Sequence, residues 1–157
     1  MTRLHGFNKD NAEPCSTWST NFGTKMLGEM NLAVLCETMA PTLHPGTFVY
    51  CCVPHEKFPL PIEPLCTFKE SEGVTVILES EAASAMGLEY QYECAMIALT
   101  VHSALNAVGF IAVISNELAR QNIPCNVVSA FHHDHLFVPH SQRDHAMDVL
   151  WAIASKK

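Results

Sequence analysis

The sequence predicts an α+β fold of two halves packed side by side, each a split βαβ unit whose antiparallel sheet carries its helices on one face. Three observations predict it. Residues 94–157 read in the order β, α, β, β, α, and the stretch from Leu27 reads α, β, β, β, α. Each half thus departs from the ideal order at one end and lacks a strand, and open sheet edges are covered when two such halves complete one another. A chain of 157 residues also buries about two thirds of its unfolded surface, enough for one ordinary core or two small cores sharing an interface.

Residues 1–25, MTRLHGFNKDNAEPCSTWSTNFGTK, are rich in Ser, Thr and Asn without a sustained apolar period, so residues 1–26 are expected to form an N-terminal extension of low order. Leu32, Leu35, Cys36 and Met39 then recur at i, i+3, i+4 and i+7, the spacing of one helical face, and Pro41 forbids continuation. Pro45-Gly46 turns the chain, because proline presets the first central angle and glycine accepts a positive φ at the second. Residues 47–53, TFVYCCV, are β-branched and aromatic, hence a strand. The prolines at 54, 59, 61 and 64 make a stiff, extended connection that is neither helix nor central strand. Two further strands, LCTFK (65–69) and VTVIL (74–78), are joined through Glu70–Gly73, and ESEAASAMG (79–87) is a short helix ended by Gly87. A weaker strand signal at Tyr90–Glu93 completes an N-terminal domain over residues 27–93.

The C-terminal domain, residues 94–157, opens on CAMIALTV (94–101), a continuous apolar run of the kind expected of a strand covered on both faces. Asn106 is placed to cap a helix by accepting from the free amides of Val108 or Gly109, with Ala107, Ile111, Ile114 and Leu118 as its inner face. Asn122 and Pro124 stop that helix. CNVVSAF (125–131) and HLFVP (135–139) are the next strands. Ser141 followed by Asp144 is a capping-box signature opening a last helix through Met147, Leu150 and Ile153. Residues 94–116 contain no Asp, Glu, Lys or Arg and are long enough to span a membrane. His102, Ser103 and Asn106 in their middle favour a strand, a polar turn and a buried helix instead.

The formal charge is −7, which offers no basic field for nucleic acid or an anionic membrane, so neither is an expected partner. The seven cysteines are odd in number, form no C-x-x-C pair, and include the adjacent Cys51 and Cys52 within an apolar run. They read as reduced thiols, and with no signal-peptide pattern at the start they point to the cytoplasm.

The segment ALNAVGFIAVISNELARQNIPCNVVSAF resembles the signature of ACT domains: a strand, a small polar turn reaching a glycine, a helix ending in ARQNI, then a strand. The wider pattern, through TMAPTLHPGTFVYC, FKESEGVTVIL, TVHSALNAVG and FHHDHLFVP, resembles the tandem-ACT-domain proteins over roughly residues 28–155. The resemblance implies a ferredoxin-like βαββαβ fold in two ACT-like halves, pairing through sheets into a homodimer, and binding of an amino acid or similar small molecule at the paired interface in a regulatory role. By that pattern the ligand contacts come from Ser103, Asn106, Ala107, Val108 and Gly109, with Asn126 on the neighbouring strand. No catalytic domain accompanies the pattern, and no cofactor is expected.

The residues support a ligand site at the Val101–Gly109 turn independently. A helix N-terminus offers unpaired amides and partial positive charge, and glycine admits close approach of another group, which suits a carboxylate. Two or three charged hydrogen bonds of roughly 1.5–3 kcal/mol each, less the association cost, give affinity on the order of micromolar to millimolar. Equally, Asn106 explains itself as a cap and Gly109 as a packing residue without any ligand. Glu70–Gly73 offers carboxylates to an ammonium group, or is simply a solvated hairpin turn. The stretch SAFHHDHLFVPH raises a second chemistry. A two-residue hairpin with His133 and Asp134 at its turn and His132 facing His135 needs no metal. A turn gathering His133, Asp134 and His135, with His140 more distant, is the alternative for a metal-dependent enzyme. Ser103 beside His102 has the residue types of a nucleophile and base but no G-x-S-x-G context. Three classes therefore stand: a non-enzymatic small-molecule sensor, a small metalloenzyme, and a structural oligomerisation module.

Overall fold

In a computed structural model of the chain the described residues are 28–155. They form, in order, α1 (Leu32–Thr38), β1 (Pro41–Leu43), β2 (Phe48–Val53), β3 (Cys66–Lys69), β4 (Val74–Glu79), α2 (Ser80–Ala85), β5 (Glu93–Leu99), α3 (Phe110–Arg120), β6 (Asn126–Ser129), β7 (Asp134–Pro139) and α4 (Arg143–Ala154). Single 3-10 turns lie at His55–Lys57 and His140–Gln142. The expected extension over residues 1–26, and Cys15 within it, lie outside the described residues.

One seven-stranded sheet runs through both halves in the order β3-β4-β2-β5-β7-β6, with β1 also paired to β5. Every pairing is antiparallel. The strand missing from the C-terminal order is β1, which aligns Pro41 with Leu99 and Leu43 with Ile97. The N-terminal sheet is completed in turn by the start of β5, where Cys94 meets Phe48 and Glu93 meets Val49. β1 and β2 therefore share one edge of β5, and residues 44–47 bulge between them opposite only Ala95 and Met96. Gly46 makes the bulge with φ +95°, a value side chains with a Cβ seldom adopt.

Alternation along the strands sorts the core into two faces. Ala95, Ile97, Leu99, Leu136 and Val138 pack against Leu35 and Met39 of α1, Phe110, Ile114 and Leu118 of α3, and Ala146, Leu150 and Ile153 of α4. Each Val, Leu, Ile, Met or Phe side chain among them removed from water is worth about 1.5–3 kcal/mol. Val49, Cys51, Val53, Val74, Val76 and Leu78 form a second cluster under Ala83 of α2, with Phe58, Leu60 and Ile62 of the proline-rich connection closing it. That connection covers the position a first crossover helix would take. On the other face no helix residue joins Phe48, Ile77, Cys94, Met96 and Phe137, yet all five are buried. Phe48 and Tyr50 meet Phe137 edge to face, at 6.3 and 5.6 Å between centroids.

Several expectations are corrected. Tyr90–Tyr92 is not a strand, because strand pairing begins only at Glu93, inside β5. The third helix starts at Phe110 after Gly109, so Asn106 does not cap it and Ala107 precedes it, while Phe110 joins Ile114 and Leu118 as its buried face. Ser141 lies in the 3-10 turn before α4, whose N-cap position is Gln142 without a side-chain hydrogen bond. The hairpin register pairs Ser129 with Asp134 and Val128 with His135. The turn is thus centred on Phe131-His132, two residues before the expected His133-Asp134. Among the described residues no helix is long and apolar enough to cross a membrane, and residues 94–116 divide into β5, a turn and the start of α3. The six described cysteines are free.

Candidate functional site

The polar turn between β5 and α3 is built by short backbone closures. The Ser103 amide donates to the Val101 carbonyl (3.0 Å) and the Ala107 amide to the Ala104 carbonyl (2.8 Å). Gly109 then occupies the N-cap position with φ +95°, where any other residue would be strained. Its first intrahelical partner is the Val113 amide, 3.0 Å from the Gly109 carbonyl. The amides of Phe110, Ile111 and Ala112 therefore have no acceptor within the helix, and neither a capping side chain nor an acidic residue occupies the first turn. Burial of Phe110, Ile114 and Leu118 holds the helix so that these donors point at the turn.

One side of the turn is covered by the chain preceding α1. The Glu29 amide donates to the His102 carbonyl (2.9 Å) and the Ala104 amide to the Glu29 carbonyl (3.0 Å), a parallel bridge between Glu29 and Ser103. Gly28 is pressed so close to the backbone of residues 102–104 that a Cβ there would lie 2.5 Å from the Ala104 nitrogen. Leu32 rests beside Gly109, 3.4 Å from where its Cβ would be. The Asn31 side chain caps α1 by accepting from the Ala33 and Val34 amides. The other side of the turn faces solvent, with Val108 85% and Leu105 70% exposed.

Beneath the turn sits Asp134, 5% exposed. Ser103 Oγ donates to its Oδ2 (3.2 Å) and Ser129 Oγ to its Oδ1, so one carboxylate ties the turn to the β6–β7 hairpin. Sequence reading missed this pin. The signal lay in Ser129 and Asp134, but it is legible only once they are known to be cross-strand partners. The Ser103 hydroxyl is thus bonded to Asp134 and not to its sequence neighbour His102. His102 instead packs edge to face on His132 (5.5 Å), which also meets Phe131 (4.9 Å).

Of the expected contact residues, Ser103, Ala107 and Gly109 lie half-buried in the turn, and Asn106 and Val108 lie exposed on it. Asn126 is not with them. Its register partner is Phe137, which places it on the helix-free face while Ser103 and Asp134 lie at the end of the helix-covered one. The histidine cluster does not converge either. Among the described residues no three His, Cys, Asp or Glu side chains are grouped as a metal ion requires, since alternation sends His133 and His135 to one face and Asp134 to the other. His133 Nδ1 is buried without a partner. His135 turns toward His44, and burial lowers the pKa of both, aided for His44 by the neighbouring His135. Burial pushes the Cys94 thiol, on the helix-free face, up to about 12 and the Cys125 thiol, packed against the helix-covered core, up to about 11, so neither is a thiolate nucleophile near neutrality.

Residues 27–95 match one ACT-domain family and residues 91–151 match another. A solved Vibrio cholerae protein of unknown function, described as a possible transport protein, is 38% identical with a TM-score of 0.71, covering 79% of this chain and 96% of its own. A protein from Agrobacterium tumefaciens is similar in fold at 13% identity and a TM-score of 0.62, covering 74% of this chain and 89% of its own. Aspartate kinase from Clostridium acetobutylicum, an allosteric enzyme, shares the fold at 10% identity and a TM-score of 0.60, over 81% of this chain and 36% of the kinase. E. coli aspartokinase III, solved with aspartate and ADP, does so at 15% identity and 0.55, over 73% of this chain and 33% of its own. Among curated proteins none matches. With both halves matched and a 38%-identical relative spanned almost completely, the chain belongs to the ACT-domain family and carries two ACT domains in tandem.

Proposed function

We propose that this protein is a non-enzymatic regulatory module of the cytoplasm that binds an amino acid or related carboxylate at the turn formed by Ser103, Asn106, Ala107, Val108 and Gly109. The observation that carries the reading is the set of three α3 amides, Phe110 to Ala112, left without intrahelical acceptors behind a left-handed Gly109. A carboxylate there meets aligned donors and the positive end of an 11-residue helix. Two or three such bonds give affinity on the order of micromolar to millimolar, the working range of a metabolite sensor. Asn126 takes no part.

Met30, Leu105, Val108 and Phe131 are each more than half exposed. All lie on or next to the turn and its covering segment, so a second copy of the chain seated there would bury them and enclose the ligand. The functional unit is accordingly a homodimer. Exposed apolar side chains gathered at one place favour an interface over a solvated surface.

A thermal-shift screen of the proteinogenic amino acids tests the reading, with aspartate first because the E. coli enzyme of similar fold was solved with it. At least one amino acid should raise the melting temperature of the wild type in a concentration-dependent way. Gly109→Val, which cannot keep the left-handed turn, should lose the response. A screen in which no amino acid stabilises the wild type sinks the proposal. Sedimentation at micromolar concentration should show a dimer.

A further inference from the structure

A second site lies in the N-terminal half, away from the α3 turn. β2 is paired to β5 only at Phe48 and Val49. From Tyr50 to Val53 its β5-side edge runs free, because the incoming chain at Glu89–Tyr92 diverges from it instead of continuing the ladder. The split opens a solvent-facing groove of about 400 Å³ lined by Tyr50, Cys52, Glu89, Tyr90, Gln91 and Tyr92.

The lining is chemically one-sided. Three of its six side chains are phenols, one is a carboxylate, and no Lys, Arg or His is among them. Aromatic faces carry negative potential and attract cations, most strongly where water is excluded, and a carboxylate at the rim adds to that attraction. Tyr90 is held in place by its hydroxyl, 3.3 Å from Ser84 Oγ on α2. A volume of this size matches the lower range of small-molecule sites, and an anion would meet Glu89 with nothing to offset it.

We propose that this groove binds a small organic cation, a primary or quaternary alkylammonium group, with Tyr50, Tyr90 and Tyr92 presenting their rings and Glu89 its charge. The site does not depend on the reading of the α3 turn, and its test uses different ligands. Isothermal titration of the full chain with choline should show saturable binding on the order of millimolar. The neutral isostere 3,3-dimethylbutan-1-ol should bind at least about fivefold more weakly, the difference being the charge alone. Glu89→Gln, an exposed and conservative change, should weaken choline binding by about fivefold and leave the isostere unaffected. Tyr90→Ala should weaken both. Equal binding of choline and its isostere would show an apolar groove without charge selection and overturn the proposal, as would the absence of saturable choline binding to the wild type.

Discussion

Replacing Gly28 by alanine tests how the turn is held. A Cβ at this position would lie 2.5 Å from the Ala104 nitrogen, 2.6 Å from the Ser103 carbonyl carbon and 2.8 Å from the His102 oxygen. All three are main-chain atoms, so no rotamer change relieves the clash and the segment before α1 must lift away. Lifting breaks two hydrogen bonds, from the Glu29 amide to His102 (2.9 Å) and from the Ala104 amide to Glu29 (3.0 Å). At a net 0.5–1.5 kcal/mol each, the expected loss is about 1–3 kcal/mol. A glycine free of contacts would show the opposite sign, a gain of about 0.4–1 kcal/mol from a less flexible unfolded chain. The damage stays local, because Leu35 and Met39 anchor α1 in the core. Urea unfolding gives the magnitude, and amide exchange locates it at Glu29 and Ala104. A variant as stable as the wild type, with the Ala104 amide still protected, refutes the argument that this backbone contact holds the turn.

Further outcomes follow from the same contacts. Asp134→Ala should cost about 2–4 kcal/mol, since it removes the acceptor of Ser103 and Ser129 while relieving a buried charge. The cost should couple to Ser129→Ala by at least about 0.5 kcal/mol in a double-mutant cycle, and strict additivity would contradict the pin. His44 and His135 both have folded pKa values below the ordinary 6.5, so between those values and 6.5 the unfolded chain binds more protons than the native one. Stability should therefore be full above pH 6.5 and decline as pH falls through the lowered folded values. Urea midpoints between about pH 7.5 and about 5.5, above the carboxylate range, should show this decline, and a His44→Gln, His135→Gln double variant should flatten it. A flat wild-type profile contradicts the burial argument.

Much of the architecture is legible from local pattern. The apolar spacing of Leu32, Leu35 and Met39, the Pro45-Gly46 turn, the alternation in Val74–Leu78 and the uncharged run into α3 each follow from side chains within a few residues of one another. So does the candidate turn, because a polar stretch reaching a glycine before an apolar helix has a local meaning. The hairpin shows the limit of such reading. Moving its turn by two residues leaves every side chain on the same face, so alternation cannot tell Phe131-His132 from His133-Asp134.

The chain's own pattern of burial and breakers determined two α+β halves, their helices and most of their strands. Tertiary structure alone decided that Pro41–Leu43 is a strand, since three residues gain that conformation only by meeting Ile97–Leu99 more than fifty positions away. It alone brought Ser129 and Ser103 to one carboxylate, laid Gly28 and Glu29 along the turn, and left the edge of β2 open beside three tyrosines. Local preference states which groups seek burial or a partner. Which partner they find depends on contacts between distant segments, and no stretch of sequence carries that information by itself.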